Sequence, residues 1–163
     1  ILTSDQTILT REEFANMALI GGYKGTLPER KTNSAGEKFY TGKQLFSLFF
    51  PHDFNFIITS KWNKAAKGEG KDVVIRNGEL VSGVIDKASI GAEEPDSVLH
   101  RIAKDYGNDA ARKFLDSILI MLKTYITHRG FTYGYSDLWL SDKTRQEIND
   151  VVQKAYDLSL IHI

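Results

Sequence analysis

The dipeptide Asn77-Gly78 constrains the fold more than any other feature of the sequence. It lies within residues 73–91, between two runs rich in β-branched residues, and this arrangement is the strongest short-range signal for a two-residue hairpin turn. Such a turn places Arg76 opposite Glu79, and the opposite charges of this pair favour the register. We therefore predict an antiparallel hairpin centred on this dipeptide.

The same register sets the faces of the hairpin. It pairs Ile75 with Leu80, Val74 with Val81, and Val73 with Ser82. One face then carries Ile75, Leu80 and Val84, and the other carries Val74, Val81 and Ile85. A hairpin that is apolar on both faces has to be covered on both, so we expect the remaining chain or a larger assembly to supply that cover.

Apolar residues at helical spacing predict five helices elsewhere in the chain. They are expected at residues 11–20, 41–50, 97–106, 109–128 and from 142 onward. Two begin with capping-box spacing, Thr10 with Glu13 and Thr41 with Gln44. With a strand predicted over residues 54–59, the sequence indicates an α+β fold, in which a small β-hairpin or sheet packs with several α-helices and the chain ends in a helical segment.

Four local details complete this prediction. Asp96 is expected to cap the fourth helix, because an Asp oxygen accepts amide hydrogens at a helix start. Residues 86–91 are expected to form a turn that returns the chain. Residues 23–38, rich in Gly, Pro, Asn, Ser and charge, are expected to form an exposed loop. Ile120 falls in the polar arc of the longest helix, where it is either an ordinary exposed isoleucine or a contact with another subunit.

Composition excludes several classes of function. The formal net charge is zero, whereas a free-standing nucleic-acid binder usually carries an excess of basic residues. There is no cysteine, and the four histidines have no ligand-like spacing, so neither a disulfide nor a structural zinc site is expected. No apolar run approaches the roughly 18 residues of a membrane span, and no signal-peptide pattern opens the sequence. These features indicate a cytoplasmic protein.

No catalytic motif stands out by itself. The sequence contains no phosphate-binding loop, dinucleotide fingerprint or nucleophile elbow. Lys43 lies at a helix start, where the dipole prefers acidic groups, so it is either a solvated side chain or the partner of an anion. The basic residues 60–71 are either a solvated loop or a phosphate contact. A hydrolase using His100 and Asp105 is disfavoured, because five positions separate them, off the i+3 or i+4 helical spacing.

Several short motifs follow one another in a distinctive order. They are Tyr40-Thr-Gly-Lys-Gln-Leu-Phe-Ser47, Val74-Ile-Arg-Asn-Gly-Glu-Leu-Val-Ser-Gly-Val-Ile-Asp-Lys87, Leu99-His100, Tyr106-Gly107, Ala111-Arg112 and His128-Arg-Gly-Phe-Thr132. In this order, the chain resembles the largest subunit of multisubunit DNA-directed RNA polymerases over residues 1–157, most of all its archaeal form, A′. If the resemblance holds, the hairpin should pack against the helix at residues 41–50.

This resemblance implies a place in a transcribing enzyme. Residues 1–130 correspond to the family's pore domain and residues 131–163 to the beginning of its funnel domain, which border the secondary channel. That channel is expected to admit nucleoside triphosphates and transcript-cleavage factors and to receive backtracked RNA. The family's catalytic signature, NADFDGD, holds Mg²⁺ and is absent from this sequence. The resemblance thus implies that the whole enzyme is a nucleotidyltransferase that uses Mg²⁺ and works with a DNA template, RNA and other polymerase subunits. This chain alone is expected to be neither catalytic nor metal-binding.

The resemblance also implies roles for three residues. Lys87, just after the hairpin, is expected to line the channel and face triphosphate or extruded RNA, and Lys43 and Gln44 are expected at the pore-side helix start. Where many relatives carry a second lysine, this chain has Ala88, so Lys87 alone is basic at this point. The structural alternatives are an ion pair of Lys87 with an acid such as Asp86, and a helix cap by Gln44.

The ends of the sequence are interpreted as boundaries within a longer polypeptide. The chain begins with Ile1, and residues 158–163 break the preceding helical pattern and do not resemble the family's continuation, so they need not be native. The alternative is a processed mature chain with an ordered terminal strand. A different function is also open: a stand-alone α+β protein-interaction domain that uses the hairpin edge and Ile120.

Overall fold

The computed structural model describes most of the chain. The described residues are 2–34, 36–59, 72–91 and 95–161. The chain divides into two compact units, Ile1–Arg129 and Gly130–Ile163. In the described residues, the first unit holds small antiparallel sheets and five helices, and the second holds a 3-10 turn and a long helix. The α+β fold with a final helix is therefore confirmed.

The strands are short, and two of the helices are long. The strands are β1 Ile8–Leu9, β2 Lys31–Thr32, β3 Lys38–Thr41, β4 Phe56–Thr59, β5 Asp72–Arg76 and β6 Glu79–Ser82. The helices are α1 Arg11–Ile20, α2 Gly42–Ser47, α3 Lys87–Ile90, α4 Val98–Tyr106, α5 Asn108–Arg129 and α6 Asp142–Ile161. The strands pair antiparallel in two sheets, in the orders β1-β3-β2 and β4-β5-β6.

The hairpin turn forms as the sequence predicts. Asn77 and Gly78 have φ values of 48° and 74°, and positive φ at both central residues is typical of a type I′ turn, whose twist matches that of the strands. Arg76 lies opposite Glu79, as predicted. The Gly78 amide also donates to the Phe54 carbonyl oxygen at 2.9 Å, so the turn is tied to the chain before β4.

Beyond the pairs next to the turn, the register differs from the prediction. A bulge between Val74 and Ile75 places Val74 opposite Ser82 instead of Val81. Val81 is left 59% exposed, so this chain does not cover that face of the hairpin, and cover by a larger assembly stays a prediction. The covered face of the hairpin carries Val73, Ile75 and Leu80. A prediction from strict alternation assumes that each residue of one strand pairs with one residue of the next strand. It therefore misses the extra residue that a bulge inserts.

An aromatic cluster forms the centre of the first unit. The rings stack or meet edge-on, and the cluster comprises Phe46, Phe50, Phe54, Phe56, Tyr106 and Phe114. Helix α2 and the turn after it supply two of these rings, as expected of a helix with apolar residues on all sides. The helix is shorter than predicted: it ends at Ser47, and the next three residues make i→i−3 hydrogen bonds before Pro51.

Two of the predicted local details are wrong near the hairpin exit. Residues 86–91 contain helix α3 instead of a simple turn, because Asp86 and Ser89 form a reciprocal capping box with both hydrogen bonds at 2.8 Å. Helix α4 is capped by Ser97 and not by Asp96, which has a φ of 59°. An N-cap needs extended backbone, so the cap moves one residue along the chain.

The segment before α1 is built into the core. Thr3 Oγ1 accepts a hydrogen bond from the Ile85 amide at 3.0 Å, and the Leu2 side chain is buried. The Leu2 carbonyl oxygen occupies the place that a Cβ atom at Gly42 would need. Gly42 is therefore the point at which α2 and this segment meet backbone to backbone.

The two long helices agree with their predicted patterns. Helix α5 buries an apolar stripe that includes Phe114 and Ile118, and Ile120 lies exposed in its polar arc. Ser141 Oγ accepts from the Thr144 amide at 3.2 Å and so caps α6, which begins at the next residue. Across the described residues, none of the helices has the length and apolar character needed to cross a bilayer.

Tyr106 ties α4 to the chain before β4 through a hydrogen bond that depends on pH. Its hydroxyl donates to Asp53 Oδ1 at 2.8 Å, and burial, followed by the Asp53 carboxylate, raises the pKa of Tyr106 from 10.0 to about 12. Because the folded pKa exceeds the unfolded one, this contribution to stability is complete below pH 10 and is lost as the pH rises through about 12. We expect wild type to be more stable than Tyr106→Phe below pH 10, and the difference to shrink between pH 10 and 12.

Urea unfolding at a series of pH values measures this difference directly. Tyr156→Phe is the matched control, because the Tyr156 ring is exposed and lies on α6. That control should show no change with pH relative to wild type. A stability difference for Tyr106→Phe that stays constant up to pH 12 would contradict the role of the Asp53 contact.

Candidate functional site

The Asn77-Gly78 hairpin packs against helix α2. Ser47 Oγ, in the last turn of α2, accepts a hydrogen bond from the Leu80 amide at 2.9 Å and donates to the Lys43 carbonyl oxygen at 2.7 Å. One hydroxyl group thus connects strand β6 to the helix that carries Lys43. This is the packing that the polymerase resemblance predicts.

Ser47→Ala is expected to lower the free energy of unfolding by about 1–3 kcal/mol, because the buried Leu80 amide is left without an acceptor. The measurement is a urea unfolding curve beside that of wild type. Ser34→Ala removes a hydroxyl from an exposed serine and serves as the control, with an expected change within about 0.5 kcal/mol. Equal stability of the two variants would mean that the Ser47 hydroxyl does not hold the hairpin.

A groove of about 690 Å³ lies beside this contact. Its walls come from the segment before α1, the chain after α1, the start of α2 and the hairpin turn. Lys43 and Gln44 line it, and Lys87 is not among its lining residues. The structure thus brings two of the three predicted site residues to one surface and places the third elsewhere.

Lys43 is held by a carboxylate of the same chain. Its Nζ lies 2.5 Å from Asp5 Oδ1, with the Lys43 side chain 14% exposed and that of Asp5 81% exposed. The cation at the start of α2 therefore has an anionic partner, but an intramolecular one. Since ion pairs near solvent contribute only about 0–1 kcal/mol, an anion that enters the groove can compete with Asp5.

Gln44 connects the start of α2 to the chain after α1. Its Oε1 accepts from the Thr41 amide at 3.0 Å, and Thr41 Oγ1 accepts from the Gln44 amide at 3.3 Å, which confirms the predicted capping box. Its Nε2 donates to the Glu29 carbonyl oxygen at 2.9 Å. Because the side-chain amide is engaged at both ends, Gln44 shapes the wall of the groove.

Lys87 is the first residue of α3, and its side chain is exposed. Its carbonyl oxygen accepts from the Gly91 amide at 2.8 Å, and Asp86 caps the same helix. The short helix is thus closed at both ends and presents Lys87 at a fixed place on the surface. The channel role of Lys87 stays a prediction.

Two other candidates from the sequence are the basic residues 60–71 and the pair His100 and Asp105. The basic residues 60–71 lie outside the described residues. Asp105 accepts a hydrogen bond from Arg101 Nε at 2.9 Å, one helical turn away. In the part of the chain that the structure describes, no group of three or more His, Asp or Glu side chains is placed to hold a metal ion.

A short β-ribbon replaces part of the loop expected at residues 23–38. Lys31–Thr32, strand β2, pairs with the beginning of β3, and the turn between them is fixed by the Glu37 amide, which donates to Asn33 Oδ1 at 2.9 Å. A two-residue strand is too short to produce a readable alternation. The sequence analysis therefore missed the ribbon and the surfaces on its two faces.

The sequence matches known proteins over most of its length. A model of the family described as RNA polymerase Rpb1, domain 3, matches residues 1–138. The chain is 35% identical to the DNA-directed RNA polymerase subunit Rpo1N of Sulfolobus acidocaldarius, over 96% of this chain and 18% of that subunit. It is 38% identical to Rpo1N of Methanococcus vannielii, over 95% of this chain and 18% of that subunit. For Rpo1N of Methanocaldococcus jannaschii, the identity is 36%, over 95% of this chain and 12% of that subunit.

The chain spans less than a fifth of the length of these relatives, with 18%, 18% and 12% of each subunit covered. The residues that line the groove beside α2 lie inside the range that the family model matches. The resemblance to the largest polymerase subunit in its archaeal form is confirmed by both comparisons. The chain belongs to the family described as RNA polymerase Rpb1, domain 3.

Proposed function

We propose that the chain is a segment of the largest subunit of an archaeal-type, cytoplasmic DNA-directed RNA polymerase and forms part of the wall of its secondary channel. The observation that carries this proposal is the family match over residues 1–138. The hydrogen bond from the hairpin to α2 supports it. Residues 1–130 are assigned to the pore domain and residues 131–163 to the beginning of the funnel domain.

Positive charge at the channel wall is the chemical basis of this proposal. Lys87, exposed on the capped helix α3, meets the triphosphate of an incoming nucleotide or the backbone of backtracked RNA. Lys43 exchanges the Asp5 carboxylate for a phosphate, while Gln44 holds the wall of the groove in place. Contacts of this kind do not depend on base sequence and weaken as the salt concentration rises.

Catalysis is assigned to other parts of the polymerase. The NADFDGD signature is absent from this sequence, so the Mg²⁺ ions of nucleotide transfer are assigned to aspartates elsewhere in the enzyme. The partners in the proposal are the other polymerase subunits, the DNA template, RNA, nucleoside triphosphates and transcript-cleavage factors. The contribution of this chain is to form part of the channel wall and to attract phosphate groups to it.

A chimeric polymerase tests the proposal. The matching segment of Sulfolobus acidocaldarius Rpo1N is exchanged for this chain, and the reconstituted enzyme is expected to elongate RNA. In the chimera, Lys87→Glu is expected to raise the apparent KM for nucleoside triphosphates about two- to fivefold, because one exposed charge contact contributes about 0.2–1 kcal/mol. The kcat should change little, and the effect on KM should fade at high salt.

The matched control is Lys104→Glu, which makes the same charge change at an exposed lysine of α4. Its KM should remain that of the unsubstituted chimera. Equal effects of Lys104→Glu and Lys87→Glu, or no effect of either, would contradict the role of Lys87 at the channel wall. If the chimeric subunit folds but does not assemble with the other subunits, the assignment of the segment itself is wrong.

A further inference from the structure

The β2–β3 ribbon presents two different surfaces. Side chains alternate between faces along a strand, and residues paired across two strands share a face. Thr32 pairs with Lys38, so both lie on one face, while Lys31 lies on the other. The first face lines a cleft of about 710 Å³ that also includes Arg11 and Arg30. The opposite face lines the groove beside α2.

The cleft of the first face carries an excess of positive charge. Arg11, Arg30 and Lys38 line it, and Glu29 is the acid among its lining residues. All three cations are exposed, and none of them forms an ion pair within the described part of the chain. In a protein with a formal net charge of zero, three such cations in one cleft are a local excess that attracts an anion.

We propose that this cleft docks an acidic segment of a partner protein. Carboxylates of the segment pair with Arg11, Arg30 and Lys38, and the planar guanidinium groups suit carboxylates because they can donate two parallel hydrogen bonds. Apolar side chains of the same segment pack on Leu27 and Pro28, which line the cleft as well. The cleft shares Thr26, Leu27 and Pro28 with the groove beside α2, but its three cations do not line that groove. The docking does not depend on the proposed channel function.

Two observations favour a protein segment over a phosphate ligand. Phosphate sites at helix starts use free backbone amides, but at the start of α1 the Glu13 amide donates to Thr10 Oγ1. The Thr10 amide in turn donates to the Glu13 carboxylate at 2.8 Å, so a negative charge already occupies that helix start.

Fluorescence anisotropy with defined probes tests the docking. The main probe is a short labelled peptide in which Glu and Asp alternate with Leu, titrated with the full chain at low salt. The comparison probes are a peptide with Gln and Asn in place of the acids, and labelled single-stranded polyuridylate of similar charge. We expect binding of the acidic peptide, weaker binding of both comparison probes, and loss of affinity as salt rises.

Charge reversal locates the binding surface. Arg30→Glu combined with Lys38→Glu is expected to weaken peptide binding by about tenfold or more. The matched control, Lys113→Glu combined with Lys123→Glu on exposed positions of α5, is expected to change it by less than about twofold. These substitutions are made on exposed side chains, and thermal unfolding checks that both double variants remain folded.

Arg11→Glu provides an independent variant in which binding and stability change in opposite directions. An acid in the first turn of α1 suits the helix dipole, so stability should be unchanged or higher, while peptide affinity falls by about threefold. The proposal is overturned if Arg11→Glu and the cleft double variant bind the acidic peptide as wild type does. It is also overturned if the neutral peptide binds equally well, or if polyuridylate binds more tightly and shows the same dependence on the cleft residues.

Discussion

Replacing Gly42 by alanine is expected to lower the free energy of unfolding by about 3 kcal/mol. An added Cβ would overlap the Leu2 carbonyl oxygen, and that backbone cannot move aside easily because the next residue, Thr3, is hydrogen-bonded to the Ile85 amide. At an unobstructed helix position the sign would be opposite, since Ala is favoured over Gly by about 1 kcal/mol. The measurement is the urea unfolding curve of Gly42→Ala beside that of wild type.

Gly36→Ala is the control that separates steric overlap from backbone strain. Within the described part of the chain, nothing lies within 4 Å of a Cβ added at Gly36, but its φ is +84°. The strain of that conformation is expected to cost about 1–2 kcal/mol. If Gly42→Ala is no more destabilising than Gly36→Ala, the segment before α1 does not meet α2 at Leu2 as described.

Phe54→Ala is expected to cost about 3–5 kcal/mol of stability, since it removes a large ring from the centre of the core. The Phe54 side chain is 1% exposed, and its ring centroid lies 5.6 Å from that of Phe50, 5.9 Å from Phe56 and 6.2 Å from Tyr106. Three neighbouring rings therefore lose contacts when Phe54 is truncated. The substitution leaves the backbone hydrogen bond to Gly78 in place, so the expected loss comes from packing.

Ile57→Ala on the neighbouring strand is the matched control for Phe54→Ala. Ile57 lies only three residues further along the chain, in β4, and is 65% exposed, so its truncation should change stability by no more than about 0.5 kcal/mol. Urea unfolding of both variants measures the two effects under one set of conditions. Comparable losses for the two would mean that the aromatic cluster is not the centre of the core.

The parts of the fold that depend on residues close together in the sequence can be predicted from it. Thr10 with Glu13 and the dipeptide Asn77-Gly78 act over a few residues, so their cap and turn were read correctly. The bulge that displaces Val81 could not be read, because it depends on how β5 and β6 fit the core and not on a local motif. Asp96 failed as a cap for a related reason: its residue type suits the role, but its backbone conformation does not.

For Lys43 and Gln44, the sequence indicates their place at a helix start but not the distant partners that they contact. The position of Lys43 at a helix start is compatible with a solvated side chain or with a nearby anion; its partner, Asp5, lies 38 residues away, and no local pattern connects the two. Gln44 was recognised as a cap, while its second hydrogen bond to Glu29 depends on the path of the intervening chain. The ribbon places Lys31 and Lys38 on opposite faces. The sequence does not predict this, because a strand of two residues carries almost no periodic signal.

The hydrogen bond between Thr3 and Ile85 has a consequence for the timing of folding. The two residues are 82 positions apart in the chain, so a ribosome that adds about 5–20 residues per second makes the second roughly 4–16 seconds after the first. During that interval the apolar side chains of Leu2 and Leu9 have no completed core in which to be buried. The segment around Thr3 therefore has to wait for residue 85 before this contact can form, although it leaves the ribosome earlier.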